Sequence, residues 1–448
     1  MSEAPETSPD SQKARHWWRQ PEGSDARLYE PSDIQSDGPS AEDSLPQDIG
    51  RTLGSLTLMA TMFFLLSFWL HFPGMRPNVY SDLMDTLWVR IFNSPGIIPY
   101  VNYSLEYPAI SAMVLYVSAL WHDMYAFYFT VSAILFASML GTLAILYRLL
   151  KERGQSVQAI SYFMIFTPSF IFFSIYSFDW IGAFFMVASI YFAYKRRAVE
   201  SGLFIGLAAA ARIIPIICLP FLLLEIKKTR NRVLLLASAG AAWLAFNLYF
   251  MVTNFQGFLY PYVFQAGYNV EDSWLGLASP YAKEFSILLL GGALALIIYK
   301  RKGFNLFQQT LLAVLAFVLF SFKFPPQYMI LLLPLFVLTG VGYREFIVAN
   351  VLNVMLVLWY FTPAFSLGPA LAITSPVQWV AYARQFVLFL VFAKLIVSGG
   401  KIKVAPIVKR AEFDQELPIP ARPPLSAALV GPRLRLALLL EAIRHRND

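Results

Sequence analysis

Apolar segments long enough to cross a lipid bilayer recur between residues 53 and 397, and they limit the fold of this 448-residue chain more than any other feature. A helix needs about 20 apolar residues to span the hydrocarbon layer. Charged residues make up only 14% of the chain, against about 25% in ordinary soluble domains. We therefore predict an all-α, polytopic transmembrane protein with about twelve spans.

Lysine and arginine residues cluster in the short connections between the apolar segments. If every cluster faces the cytoplasm, the loops on that side carry 16 basic residues and the opposite loops carry four. This asymmetry follows the positive-inside rule. It predicts that both termini are cytoplasmic, in the cell membrane or, in a eukaryote, the endoplasmic reticulum membrane. The same pattern accounts for the net charge of +7 without a nucleic-acid partner.

Each full crossing moves the chain to the other side of the membrane, so the positions of the basic clusters also limit where crossings can occur. They predict two large extracytoplasmic loops, at residues 73–123 and 254–284. The apolar stretch 109–121 must be a short interfacial or re-entrant helix, because a full crossing needs roughly 20 residues. Residues 199–226 lie between two basic clusters on the same side. We expect two short arms there, broken near Arg212 and Pro215, since proline removes a backbone donor.

The two ends of the chain differ from its centre. Residues 1–50 contain eleven acids and four basic residues, which predicts a disordered acidic cytoplasmic tail. Residues 51–400 form the predicted multi-pass membrane domain. Residues 401–448 form a second cytoplasmic tail, in which the alternation of apolar and basic residues over 425–443 predicts an interfacial amphipathic helix.

Acidic residues of the first loop are the catalytic candidates. The loop contains the sequence Tyr80-Ser-Asp-Leu-Met-Asp85. Asp82 or Asp85 can act as the base at the mouth of a membrane cavity, because an attacking hydroxyl needs a proton acceptor within hydrogen-bond reach. Ser81 and Asp82 also suit the cap of an interfacial helix, and the two roles are compatible.

Two cations are candidates for binding a phosphate. Arg212 lies within an apolar segment, where a cation is costly and points to function, although arginine can also snorkel to the interface. Lys323, in Phe322-Lys-Phe-Pro-Pro-Gln-Tyr328, is the second candidate, and an ordinary loop lysine is the alternative. The planar donors of a guanidinium match phosphate oxygens.

Further polar and aromatic residues are predicted to line the same cavity. For Asp179 the alternative is a helix N-cap, and most aromatics of the second loop suit an interface belt. Cys218 is the only cysteine, so no intrachain disulfide is predicted, and no metal site of the Cys or His type is visible. No cofactor is therefore predicted, and a divalent metal is compatible but not indicated. The predicted cavity residues are Tyr80, Tyr100, Glu106, Tyr107, Asp179, Asp272, Gln327 and Tyr328.

The ordered motifs resemble the GT-C superfamily of membrane glycosyltransferases. Residues 80–85 resemble the acidic motif of that family's first external loop, and Pro99-Tyr100 and Glu106-Tyr107-Pro108 resemble the elements that follow it. Residues 212–220 and 322–328 resemble its two later basic segments. The pattern, over roughly residues 53–335, is similar to polyprenyl-phosphate-mannose-dependent mannosyltransferases: the catalytic subunit of GPI mannosyltransferase I and bacterial phosphatidylinositol-mannoside enzymes.

The chain also departs from the family pattern. The acidic pair is spaced Asp-x-x-Asp rather than Asp-x-Asp, which leaves the choice between Asp82 and Asp85 open. The Arg and His common in the family's second loop are missing around residues 267–273. The identities of the acceptor and of the sugar are therefore open as well.

The resemblance implies an inverting hexosyltransferase that moves a hexose, mannose in these relatives, from a polyprenyl or dolichyl phosphate to a lipid or glycan acceptor. The transfer is expected on the extracytoplasmic side. It implies that Asp82 deprotonates the acceptor hydroxyl, while Arg212 and Lys323 stabilise the leaving phosphate. The sequence has no Gly-rich phosphate loop or Rossmann fingerprint, so we do not expect a soluble nucleotide-sugar donor.

Two other classes of protein are alternatives. A transporter or lipid flippase of the cell-envelope pathway would share the broken helix, but transporters often show internal repeats, and this sequence shows none. Its polar residues also cluster in loops rather than at mid-span. A non-catalytic scaffold subunit is the other alternative, and the ordered acidic and basic motifs argue against it.

Overall fold

The computed structural model describes residues 45–74, 79–361 and 369–401, and in this part the chain is helical with no β-strand. Most of the predicted acidic tail and all of the predicted amphipathic helix lie outside the described residues. The predicted all-α fold is confirmed. The longer helices are Leu45–Leu70, Asp82–Phe92, Ala109–Ala119, Met124–Glu152, Asp179–Tyr194, Ala198–Ala211, Thr229–Thr253, Phe255–Gly267, Ala282–Lys300, Leu306–Phe320, Met329–Thr339, Tyr343–Tyr360 and Pro376–Ser398. The shorter ones are Gln158–Ile160, Ser161–Ile165, Pro168–Phe173, Ile214–Cys218, Leu219–Glu225, Trp274–Ala278, Arg301–Gly303 and Pro326–Tyr328.

Five helices of the described chain are long and apolar enough to cross a bilayer. At most 50% of the apolar stretch of each is buried inside the protein, so lipid covers the remaining apolar surface. The chain is a polytopic membrane protein, as predicted. The predicted number of about twelve spans includes shorter helices, which at 1.5 Å per residue do not cross a layer of ~30 Å alone. The five are Thr52–Leu70, Met124–Glu152, Thr229–Thr253, Ala282–Gly303 and Pro376–Ser398.

The first loop contains two short helices. Ser81 caps the helix Asp82–Phe92, because its hydroxyl accepts a hydrogen bond from the N–H of Met84 at 3.2 Å. The predicted short helix is found at Ala109–Ala119. The first loop is therefore a folded element that positions its acidic residues.

The predicted break near Arg212 is confirmed. The helix Ala198–Ala211 ends at Arg212, whose backbone is extended, and the chain continues through the 3₁₀ turn Ile214–Cys218 into Leu219–Glu225. Pro215 lies in the first positions of that turn, where its missing N–H costs no hydrogen bond. The break leaves Arg212 at the end of a helix instead of inside one.

Two glycines bring the helix Ala198–Ala211 close to the helix Thr229–Thr253. A Cβ atom at Gly202 would lie 2.2 Å from the carbonyl oxygen of Leu235, and one at Gly206 would lie 2.2 Å from that of Ala239. Small residues four apart permit this backbone approach between membrane helices. The close packing against Thr229–Thr253 fixes the helix that ends at Arg212.

One predicted span is wrong in detail. The apolar sequence of residues 157–176 predicts a single crossing, but the π-helical turn Ser161–Ile165 and a new helix, Pro168–Phe173, interrupt it. Thr167 caps the new helix by accepting from the N–H of Phe170 at 3.2 Å. Proline is favoured at the first position of a helix and breaks a helix interior, so the interruption follows from Pro168.

Two helices form the centre of the bundle. Every residue of Met329–Thr339 is buried, as are nearly all residues of Leu306–Phe320. A helix that is apolar on all sides has to be buried in this way. The segment between them, residues 321–328, therefore lies at the centre of one end of the bundle.

Two of the basic clusters, at residues 148–153 and 195–197, lie close together at the end of the bundle away from residues 321–328. Lys195 pairs with Glu152 at 2.9 Å, and Arg153 donates to the carbonyl of Leu338 at 2.8 Å. All four residues lie at the C-terminal ends of their helices. The charge pattern predicts that these clusters share one side of the membrane.

Candidate active site

A cavity of about 490 Å³ lies at the end of the bundle that the two loops cover. This volume is within the range of about 300–1,000 Å³ that ligand pockets occupy. The structure brings most of the predicted site residues together around it. Those that line it are Tyr80, Asp82, Glu106, Tyr107, Arg212, Asp272, Lys323, Gln327 and Tyr328.

Asp85, Tyr100 and Asp179 are the predicted site residues that do not line this cavity. Asp85 accepts a hydrogen bond from the N–H of Ser81 at 2.7 Å and so stabilises the start of the first-loop helix. Tyr100 is buried and donates its hydroxyl hydrogen to the carbonyl of Tyr107. Each of these two residues supports the backbone beside the cavity.

Of the two acids in the motif at residues 80–85, Asp82 is the one that lines the cavity. It is half-buried, and its carboxylate accepts from the Tyr80 hydroxyl and from the Gln327 amide, both at 3.1 Å. Loss of water contact raises the pKa of Asp82 to about 7, and the hydrogen bond from Tyr80 and the charge of Arg212 oppose this only in part. A carboxyl group with a pKa near neutrality is suited to accept a proton.

Arg212 is held by a buried ion pair. It is 7% exposed, and its guanidinium donates to Asp179 at 2.7 Å and to the Ser177 hydroxyl at 3.0 Å. Its charged carbon lies 4.3 Å from the centre of the Phe178 ring. The Nε atom of Arg212 has no hydrogen-bond partner among the described residues. Asp179 therefore positions the cation, which keeps a free donor.

Lys323 connects the central segment to the second loop. Its ammonium lies 3.3 Å from the carboxylate of Glu271 and 3.4 Å from the centre of the Tyr268 ring. The backbone is joined as well, since Glu271 donates to the carbonyl of Phe322 at 3.1 Å and accepts from Phe324 at 3.0 Å. An ammonium has three donors, so Lys323 retains capacity for a ligand.

Asp272 is fully buried beside Glu271. One of its carboxylate oxygens accepts from the Tyr360 hydroxyl at 2.5 Å and from the Gln378 amide at 3.0 Å. Arg384 donates to its backbone carbonyl at 3.3 Å. Burial and the neighbouring Glu271 carboxylate raise the pKa of Asp272 to about 6, although the Arg384 charge opposes the shift.

A second, apolar cavity of about 260 Å³ adjoins the first. Its apolar walls include Ile213, Ile214, Leu290, Phe317 and Phe322. Arg212 and Lys323 are among the residues that line both cavities, so the two cations lie at the boundary between a polar and an apolar space. The shared residues are Glu106, Tyr107, Arg212, Gln265, Lys323 and Tyr328.

Several residues that line the polar cavity were not predicted. Arg90 lies on the first-loop helix and Glu271 directly precedes Asp272, so their positions in the sequence could have suggested them. Tyr360 and Phe361 end a helix far from any recognised motif, and nothing in the sequence marks them. The additional lining residues include Thr86, Arg90, Tyr176, Gln265, Tyr268, Glu271, Tyr360 and Phe361.

The polar cavity provides a proton acceptor and two cations, the groups that displacement of a phosphate by a hydroxyl requires. In the part of the chain that the structure describes, no three His, Cys, Asp or Glu residues are grouped as metal ligands would be. The cavity residues therefore give no specific indication of a metal site.

Comparison with protein families connects this site to sugar transfer. A model of glycosyltransferase family 87, a GT-C-like family of membrane glycosyltransferases, matches residues 105–321, just under half of the chain. The matched region contains Arg212 and the second loop, begins after Asp82 and ends before Lys323. Comparison with curated proteins gives no match. The family match supports a glycosyltransferase activity in a membrane protein.

Proposed function

We propose that this protein is an inverting glycosyltransferase whose donor is a hexose, mannose in the simplest case, linked to a polyprenyl or dolichyl phosphate. The observation that carries the proposal is the pair of adjoining cavities, one polar and one apolar, with Arg212 and Lys323 in the wall of both. A lipid-linked sugar phosphate also has a polar and an apolar part, because its sugar is polar and its lipid chain is apolar. Its phosphate then lies beside the two cations.

Asp82 acts as the general base in this proposal. It removes the proton from an acceptor hydroxyl, whose oxygen forms a bond to the anomeric carbon. The bond from that carbon to the phosphate oxygen breaks, and polyprenyl phosphate leaves. Because the attack occurs opposite the leaving group in a single displacement, the configuration at the anomeric carbon is inverted. The acceptor is a lipid or a glycan.

Arg212 and Lys323 stabilise the negative charge that grows on the phosphate. Both cations already have carboxylate partners, Asp179 at 2.7 Å and Glu271 at 3.3 Å. These partners keep the cations in position before the donor binds. The unpartnered Nε atom of Arg212 and the remaining hydrogens of Lys323 are the donors for the phosphate.

A transfer assay tests the proposal directly. The purified protein in liposomes receives radiolabelled polyprenyl-phosphate mannose, with lipid and glycan acceptors screened in parallel. We expect label to pass from the lipid donor to an acceptor, and GDP-mannose to be inactive as a donor. Movement of the donor across the bilayer without any transfer would instead support the flippase alternative.

The two loops are placed on the extracytoplasmic side in this proposal, because two of the basic clusters lie at the opposite end of the bundle. The prediction uses single cysteines in a Cys218→Ser background. Asn93 is exposed at the end of the first-loop helix, so Asn93→Cys should react with an impermeant thiol reagent in intact cells. Lys302→Cys, exposed in a basic cluster, should react only after permeabilisation. If Lys302→Cys reacts in intact cells and Asn93→Cys reacts only after permeabilisation, the topology is the opposite of the one proposed.

A further inference from the structure

The wall of the polar cavity contains side-chain oxygens that lack hydrogen-bond donors. Asp272 Oδ2 and Gln327 Oε1 are buried and have no hydrogen-bond partner among the described residues. Glu271 Oε2 contacts the Lys323 ammonium at 3.3 Å but accepts no hydrogen bond of normal geometry from the described residues. All three residues are among those that line the cavity. This wall therefore has unused acceptors.

Asp272 is the most constrained of the three residues. It is completely buried, with a backbone φ of 52°, in the left-handed region that non-glycine residues seldom adopt. Its Oδ1 atom accepts from both Tyr360 and Gln378. The carboxylate is thus oriented by internal hydrogen bonds through one oxygen, and the other oxygen remains unpaired.

Because the unpaired atoms are oxygens that accept hydrogen bonds, a ligand that binds them has to donate hydrogen bonds. A buried acceptor without a donor is unfavourable, and most such atoms in proteins are paired. The phosphate group of the donor has only acceptor oxygens when ionised, so it cannot fill the role. A hexose ring carries several hydroxyl groups, each of which can donate one hydrogen bond.

We propose that Asp272, with Glu271 and Gln327, forms a subsite that binds the ring hydroxyls of a hexose, with Asp272 Oδ2 accepting from one of them. The inference rests on the proposed function and adds to it the residues that recognise the sugar. The hexose belongs either to the donor or to a glycan acceptor, and the experiment separates the two sources.

The test measures binding instead of transfer. Saturation-transfer NMR on the protein in lipid nanodiscs uses the methyl α-D-hexosides of mannose, glucose and galactose, and then the monodeoxy derivatives of the one that binds most tightly. For the wild-type protein, we expect removal of one particular hydroxyl to weaken binding at least ~10-fold, equivalent to about 1.4 kcal/mol. If no hexoside binds, the subsite proposal is refuted.

Asp272→Asn is the decisive variant. The amide keeps an oxygen for Tyr360 and Gln378 and replaces only the unpaired oxygen by an NH₂ group. We expect the parent hexoside to bind ~10-fold more weakly to this variant and the parent and the deoxy sugar to bind equally. Gln378→Met removes an internal hydrogen bond of Asp272 from outside the cavity, and should leave the preference for the hydroxyl in place. An unchanged ratio of parent to deoxy binding in Asp272→Asn overturns the proposal.

A competitor identifies the source of the hexose. Polyprenyl phosphonomannose, which cannot transfer its sugar, displaces the methyl hexoside if the subsite holds the donor sugar. It leaves the hexoside bound if the subsite holds the acceptor. Hexoside binding does not require turnover, so a protein that binds hexosides through Asp272 but transfers no label would refute the proposed function alone.

Discussion

The Asp82→Asn variant should lose sugar transfer by a factor of about 10²–10⁴, the usual contribution of a general base. Asparagine has nearly the same shape and can still accept from the Tyr80 hydroxyl. With its amide turned the other way, asparagine instead accepts from the Gln327 amide and donates to the Tyr80 hydroxyl, which can itself donate to Thr86 at 2.8 Å, so Gln327 keeps its orientation. We therefore expect normal expression, normal donor binding and almost no product in the transfer assay.

The control is Asp85→Asn, three residues along the same helix. Asp85 accepts from the N–H of Ser81 and does not line the cavity, and an asparagine oxygen can accept the same bond. The loss of transfer should therefore be much smaller. Full activity of Asp82→Asn with an inactive Asp85→Asn would exchange the two roles, and activity in the double variant would exclude a carboxylate base on this helix.

The pH dependence of transfer provides a second measurement of the same base. The pKa of Asp82 is raised to about 7, and only its carboxylate form accepts a proton. The value of kcat/KM should therefore rise with pH, from about a tenth of its maximum at pH 6 to about half at pH 7, and level off above about pH 8. A profile that is flat from about pH 5.5 to 8 contradicts this role for Asp82.

The Arg212→Ala variant should show the largest loss of stability. Asp179 is 1% exposed, and removal of its partner leaves a buried charge unpaired, at a cost of about 3–5 kcal/mol. The loss of a charge-assisted contact to phosphate should also weaken donor use, by on the order of 1.5–3 kcal/mol. Thermal unfolding in nanodiscs and the KM for the donor measure the two effects separately.

Two further variants separate stability from donor binding. In Asp179→Ala/Arg212→Ala both charges are removed, so stability should recover while donor use stays poor. Lys323→Ala should weaken donor use with less effect on stability, because Lys323 and Glu271 are more exposed than the other pair, at 15% and 21%. If the double variant regains full transfer, Arg212 does not bind the donor phosphate.

The sequence predicted those parts of the fold that one physical rule determines, such as the length of a helix or the place where a helix breaks. Charge parity required a break between two basic clusters, and Pro215 marks the place where the chain leaves the helix. The length of the apolar stretch predicted the short helix Ala109–Ala119. Pro168 marks a second break of this kind, within residues 157–176, which apolar length alone predicts as one span.

The candidate site was predictable only in part, because its geometry depends on long-range contacts. Asp179 and Arg212 are 33 residues apart, and no local pattern indicates that they form a pair. Tyr100 is part of a recognisable Pro-Tyr element, but its backbone has a positive φ of 64°, and the residue does not line the cavity. Tyr360 reaches the cavity through a hydrogen bond to Asp272, 88 residues earlier.

The length of the helix Ala198–Ala211 fixes the depth of the site in the bilayer. Its 14 residues extend about 21 Å, and the hydrocarbon layer is about 30 Å thick. On the predicted topology, with the basic residues 195–197 at the cytoplasmic boundary, Arg212 lies about 9 Å or more short of the far boundary, since tilting only shortens the reach. On this topology the polar cavity lies below the level of the lipid headgroups on the extracytoplasmic side. We therefore expect the thickness of the host bilayer to affect how easily a lipid-linked phosphate reaches the cation.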